Sequence, residues 1–255
     1  MDVSHEFNAM IGSLDQLEAS SNHDLYQNYD FVDDVSNKPL NKKIAIDARM
    51  LEIEFFRRMK VYTNVPRHQA NGQKVIRTKW LDIDKCDAGQ SNYRSRLVCC
   101  ELKLKDHRLD LFAATPPLEL LRLMCSICAS NQSRGEPYRL MAIDVKRAYF
   151  YAPARREIFI EIPMEDWETG DEMMVAKLNL SLYETRDAAQ NWTEEYTTRL
   201  VDMGFTAGVA TPCHFLHSEQ ELFVTVHGDD FAVVGPNKSL RWVKVRMEEV
   251  YDIKA

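Results

Sequence analysis

Val224-Thr225-Val226-His227-Gly228-Asp229-Asp230-Phe231-Ala232-Val233-Val234 decides the fold. Two β-branched, apolar runs flank a polar notch, and Gly228 gives that notch the backbone freedom of a tight turn. The segment therefore reads as strand, turn, strand. Adjacent carboxylates at a hairpin tip repel each other, and a cation between them relieves the repulsion. Mg²⁺ suits such a place because it takes hard oxygen ligands and keeps positions open for phosphates. Taken alone, an Asp-Asp pair in a turn is more often simply solvated.

A second acidic site lies upstream in Leu140-Met141-Ala142-Ile143-Asp144-Val145-Lys146-Arg147-Ala148-Tyr149-Phe150. A strand delivering Asp144 beside the Asp229-Asp230 hairpin would put three carboxylates at one edge of an antiparallel sheet. That is the minimum ligand set for two divalent ions about 3.5–4 Å apart, the apparatus of nucleotidyl transfer. Asp144 is equally suited to cap a helix that follows its strand.

The 255 residues are 45% hydrophobic, ample for a core. No N-terminal run resembles a signal peptide and no uninterrupted apolar run reaches membrane-spanning length. An intracellular chain, cytoplasmic or nuclear, is expected. Six cysteines in that setting do not make a disulfide frame. Cys125-x-x-Cys128 lies in an apolar run and reads as core packing rather than zinc ligation. The net charge of −7 is concentrated: residues 1–37 hold eight Asp and Glu and no Lys or Arg, leaving +1 for the remainder. Arg94, Arg96, Lys103, Lys105 and Arg108 form a basic stretch that could meet phosphates.

Residues 1–43 are acidic and weakly patterned, so a mobile leader is expected there, with a short helix over Glu6 to Leu17. Residues 44–255 carry the folded domain. Ile46, Met50, Ile53 and Phe56 support an amphipathic helix over 45–62. Period-two runs at Val75 to Ile83 and Asn92 to Lys105 predict a hairpin around Cys86-Asp87-Ala88-Gly89. Pro116 to Ala129 reads as a buried helix, Tyr138 to Ile143 as a strand, and a helix follows from Lys146 to before Pro153. A strand is expected at Glu157 to Ile162. Ala189, Trp192, Tyr196 and Leu200, spaced 3, 4 and 4, define a helix over 188–203. Cys213 to Leu216 and Leu222 to Val226 form a hairpin, and Leu240 to Val250 the last helix. The pattern is α+β, with helices packed on one face of an antiparallel sheet.

Asp144-Val145-Lys146-Arg147-Ala148-Tyr149, Glu157-Ile158-Phe159-Ile160-Glu161-Ile162-Pro163, Lys177-Leu178-Asn179 through Tyr183, Ala188-Ala189-Gln190-Asn191-Trp192 and His227-Gly228-Asp229-Asp230 resemble, in order and spacing, the reverse transcriptase of copia-type LTR retrotransposons. Thr78-Lys79-Trp80 and Tyr93-Arg94-Ser95-Arg96-Leu97-Val98 resemble the family's finger hairpin. The resemblance implies a polymerase palm-and-fingers architecture, ending before the thumb, within a Pol polyprotein. It implies RNA-directed DNA synthesis from deoxynucleoside triphosphates on an RNA template and DNA primer, with two Mg²⁺ or Mn²⁺ ions.

Asp144, Asp229 and Asp230 would then be the catalytic metal ligands. Tyr149 would lie under the incoming sugar, though it could equally be a packing residue. Lys79, Arg94 and Arg96 would grip the triphosphate, with Arg suited by its bidentate fork. Trp80 reads as a fold anchor.

The chain departs from the family pattern at His227, where Tyr is usual. It also departs after Tyr183, where Gly and a Lys-Gln pair are usual and Glu184, Thr185, Arg186 and Asp187 stand. Arg186 keeps a cation for the nucleotide, whereas Glu184 and Asp187 add negative charge. A catalytically decayed or co-opted fragment that binds RNA or a protein partner is the alternative. A metal-dependent nuclease lacks a recognisable base.

Overall fold

The period-two and helical runs fold as follows in the computed structural model, which describes residues 26–27, 29–86, 91–101, 113–131 and 135–255. In chain order, α1 (Lys42–Met59), β1 (Tyr62–Pro66), β2 (Val75–Ile76), β3 (Thr78–Asp84) and β4 (Tyr93–Cys99) come first. Then follow α2 (Leu118–Ser130), β5 (Tyr138–Val145), β6 (Phe159–Ile160), β7 (Met174–Leu178) and α3 (Ala188–Asp202). Last are β8 (Thr206–Ala207), β9 (His214–His217), β10 (Leu222–His227), β11 (Asp230–Pro236), α4 (Asn237–Glu248) and β12 (Ile253–Lys254). The fold is α+β, as the sequence pattern indicates. It divides into one unit of residues 1–100 and 158–178 and another of 101–157 and 179–255.

In the first unit, α1 starts where Asn41 accepts a hydrogen bond from the Ile44 amide, the usual N-cap device. It stops at Lys60, whose left-handed backbone (φ 54°) returns its N–H to the Arg57 and Phe56 carbonyls. β3 and β4 pair antiparallel as the expected finger hairpin would, while its turn and residues 102–105 lie outside the described residues. The expected leader is only partly described, and the helix expected over Glu6 to Leu17 lies outside it. Within the described part, Tyr26 and Phe31 are buried with Ala45 and Ile46. Asp33 and Asp34 accept the Asp84 and Asp82 amides of β3 at 2.6 and 2.7 Å. An acidic average over 43 residues hides those aromatic anchors. The bond from the Asp84 amide, helped by Ser36, holds the Asp33 carboxyl down at about 2.

The same unit buries a charge cluster. Arg49 gives Nε and Nη2 to the two oxygens of Asp82 at 3.2 and 2.5 Å. Its Nη1 donates to Tyr26 Oη and Glu165 Oε1 at 3.1 and 3.2 Å, and the Tyr26 hydroxyl donates to Glu165. The guanidinium lies 4.6 Å from the Phe31 ring centre and 5.3 Å from that of Trp80, so Trp80 is indeed an anchor. Burial, with some repulsion from Asp166, pushes the Glu165 carboxyl up to about 7; Arg49 faces it, but that charge is committed chiefly to Asp82.

The folded form therefore holds a proton that the unfolded chain releases near 4.5. Stability of this unit is expected to fall as pH rises from about 4.5 to 7. Thermal unfolding of wild type and Glu165→Gln across that window checks it: the substitution should flatten the slope, and a flat wild-type profile would contradict it.

The second unit is built on a six-stranded sheet in the order β12-β5-β11-β10-β9-β8. Ile143, Val145, Val224, Val226, Phe231 and Val233 point to one face. There they pack against Trp192, Tyr196 and Leu200 of α3 and Leu240, Val243 and Met247 of α4. Alternation sends the intervening residues to the other face, where Met124 of α2 covers Tyr138 and Val234. Helices thus lie on both faces, not one. The apolar run of α2 read as a buried helix, yet Leu118, Leu121 and Leu123 are exposed and only Met124 is fully buried. Cys128 packs at that contact, whereas Cys125 is exposed. The helix expected after Lys146 is a single 3-10 turn, Ala148–Tyr151, entered through left-handed Arg147 at φ 53°.

Candidate active site

β10 and β11 close on a two-residue turn, Gly228-Asp229, with His227 paired to Asp230. Gly228 sits at φ 64° and Asp229 does not, the pattern of a type II′ hairpin, which puts Gly at its first central position. β5 runs antiparallel beside β11 with Asp144 directly opposite Asp230, Ala142 opposite Ala232 and Leu140 opposite Val234. Such partners share a face with Cα atoms about 5 Å apart. Asp229 is drawn to the same place, because the Val145 amide donates to its carbonyl at 3.0 Å.

Asp144 and Asp230 therefore face each other at one end of the sheet, on the face opposite α3 and α4, with Asp229 in the adjoining turn. α2 reaches that face only at its far end, near Tyr138. Asp144 caps nothing: the 3-10 turn after it begins without a side-chain cap.

Electrostatics register the crowding. Partial burial, then the charges of Asp229 and Asp144, push the Asp230 carboxyl above its usual range, and His227 offsets this slightly. Two hard oxygen donors on opposed strands, with a third carboxylate in the adjoining turn, are the kind of ligand a divalent ion takes. Among the described residues, no three His, Cys, Asp or Glu side chains are already converged as a metal-holding group.

The block after Tyr183 resolves into two different charges. Asp187 is buried and ion-paired to Arg156 at 2.8 Å, and Asn191 donates to it at 3.2 Å. Burial acts to raise its carboxyl, but Arg156 outweighs it and the net shift is downward. Arg156 also bridges to Glu101 at 2.5 Å, whose Oε2 accepts the Arg186 amide at 2.9 Å. The Asp187 charge is thus neutralised internally rather than presented to a ligand, contrary to the sequence expectation.

Glu184 is the exposed one, and it occupies the left-handed region at φ 62°, where the resembled family has Gly. Glu184→Gly is expected to stabilise the chain by roughly 1 kcal/mol through relief of that backbone, read as a raised denaturation midpoint. No change would contradict the strain.

Tyr149 packs against the sheet core and meets Tyr183 edge-on at 5.3 Å. In the first unit, Lys79 opposes Val98 while Arg94 and Arg96 follow two residues apart, so all three cations share one exposed face of the β3–β4 hairpin. Two neighbours of the acidic end went unread in the sequence. Lys254 in β12 lies opposite Asp144, and Trp192 Nε1 donates to the Gly228 carbonyl at 2.7 Å. No local signal marks Lys254; Trp192 carried one, but only as a core aromatic.

The site is thus an antiparallel sheet that brings two strand-borne aspartates face to face beside a Gly-Asp turn. Residues 59–255 match the family model for Reverse transcriptase (RNA-dependent DNA polymerase), and the chain belongs to that family. It is 25% identical over 191 residues to the Retrovirus-related Pol polyprotein from transposon TNT 1-94 of Nicotiana tabacum. That match covers 72% of this chain and 14% of the relative, so the chain spans a small part of that protein's length. Both findings agree with the copia-type resemblance carried by the motifs. No helix among the described residues is long and apolar enough to cross a membrane.

Proposed function

We propose that this chain carries the palm and fingers of an RNA-directed DNA polymerase that adds deoxynucleotides to a primer 3′-hydroxyl on an RNA template. The observation that carries the reading is the register of Asp144 opposite Asp230, with Asp229 in the adjoining turn. Those three carboxylates would hold two Mg²⁺ or Mn²⁺ ions, Asp144 and Asp229 as primary ligands and Asp230 in support. Bound there, such ions supply charge neutralisation for the triphosphate and lower the pKa of the attacking hydroxyl.

The chain's own residues would do the rest. Tyr149, half-buried beside the acidic strand, would form the floor under the sugar. Lys79, Arg94 and Arg96 would take triphosphate oxygens from one face of the finger hairpin. Arg186 would supply a further cation.

The alternative, a palm-fold fragment that binds RNA or a protein partner without catalysis, draws support from exposed Glu184. The test is primer extension on poly(rA) primed with oligo(dT), with Mg²⁺ or Mn²⁺. Incorporation of dTTP dependent on the metal supports the polymerase. RNA binding with no incorporation under either ion would reject it in favour of the alternative.

A further inference from the structure

The geometry points to Trp192 as the positioning residue of the acidic turn, acting through the Gly228 carbonyl to hold Asp229 and Asp230 in reach of Asp144. This inference rests on the metal-binding reading above and concerns how that site is kept assembled.

In a two-residue hairpin the tip carbonyls have no partner inside the hairpin itself. Here both are taken from outside it. The Asp229 carbonyl accepts the Val145 amide at 3.0 Å, which ties the turn to the strand bearing Asp144. The Gly228 carbonyl accepts Trp192 Nε1 at 2.7 Å, which ties it to α3. These two bonds oppose a definite force, the mutual repulsion of carboxylates set opposite each other at Asp144 and Asp230 with Asp229 in the adjoining turn. Without the clamps, repulsion favours swinging the turn outward about Gly228, whose surroundings would leave even an added Cβ in open space.

Trp192 is itself rigidly seated. It is 1% exposed and meets Tyr196, Phe231 and Tyr251 edge-on at 5.6, 6.3 and 5.4 Å. Tyr251 in turn meets Tyr151 at 5.0 Å, and the Tyr151 hydroxyl accepts the Asp252 amide at 2.9 Å. One indole therefore serves the acidic turn and the approach to β12, the two strands' ends that flank Asp144. A hydrophobic residue of equal size would fill the core but could not hold the carbonyl.

The test separates those roles by replacing Trp192 with 3-benzothienylalanine, which keeps the two-ring shape and lacks the N–H donor, alongside Trp192→Phe. Mn²⁺ is titrated into each protein and followed by electron paramagnetic resonance, with Asp229→Asn plus Asp230→Asn as the reference for site-specific binding. We expect Mn²⁺ affinity to fall about tenfold in the isostere, the scale of one lost hydrogen bond, with far-UV dichroism and the urea-unfolding m-value unchanged.

Unchanged affinity in the isostere, with wild type binding Mn²⁺ through the aspartates, would overturn the role of Trp192 alone. Wild-type binding no tighter than the double Asn reference would overturn the metal site and the clamp together. A lowered m-value or lost far-UV signal in the isostere would also overturn it, since the N–H would then hold the core rather than the turn.

Discussion

Replacing Asp229 and Asp230 together by Asn is expected to cut single-nucleotide incorporation on the order of a thousandfold or more, while raising rather than lowering the thermal midpoint. The activity loss follows from the metal's share of transition-state stabilisation, several kcal/mol, at tenfold for each 1.4 kcal/mol. The gain in stability follows from the partial burial and, after it, the carboxylate crowding that raise Asp230. Neutral amides at the tip no longer repel Asp144, and the backbone bonds to Val145 and Trp192 are untouched. Asp144→Asn should behave alike, because its side chain faces Asp230 across the strand pair. Steady-state incorporation and differential scanning calorimetry on the same samples check both halves. A midpoint that falls in both variants would show that the aspartates hold the turn together, and retained incorporation would remove them from the chemistry.

Arg49→Met is expected to destabilise the first unit by about 3–5 kcal/mol, the penalty for stranding buried charge without its partner. Asp82 would be left without its guanidinium beside the rings of Tyr26, Phe31 and Trp80 that now surround Arg49, and Glu165 would lose its contact to Nη1. That is a large share of the stability of a typical domain, about 5–15 kcal/mol. Adding Asp82→Asn and Glu165→Gln to Arg49→Met should recover much of the loss, because no unpaired ion then remains inside. Urea unfolding of the single and triple variants measures this. A loss below about 1 kcal/mol in Arg49→Met would mean the pair contributes no more than a surface ion pair.

The hairpin at residues 222–236 was legible because every signal for it is local: β-branched runs, a Gly at the turn and alternation that sets the register. Asp144 could be placed beside it because a strand-end aspartate there completes a three-carboxylate metal set, and because the resembled family's motifs occur in that order. The α3 stripe through Trp192, Tyr196 and Leu200 was equally plain.

What escaped were decisions made across long sequence separations. The apolar residues of α2 gave a helix but not the sheet face it would cover, nor that Leu118 and Leu121 would stay outside. Asp187 looked like an exposed charge beside a nucleotide, because its partner Arg156 lies 31 residues away. The Arg49 cluster joins α1, β3, a 3-10 turn at Met164–Asp166 and Tyr26, and no window of sequence contains it. The helix expected after Lys146 failed for a nearer reason. Arg147 turns left-handed there, a conformation that nothing in its side chain advertises.

The most direct measurement is anomalous diffraction at the manganese edge from crystals of the chain grown with Mn²⁺, template–primer and a non-hydrolysable deoxynucleotide analogue. Two peaks about 3.5–4 Å apart, ligated by Asp144 and Asp229 with Asp230 alongside, are the expected result. Manganese bound elsewhere, with those three carboxylates carrying none of it, would contradict it.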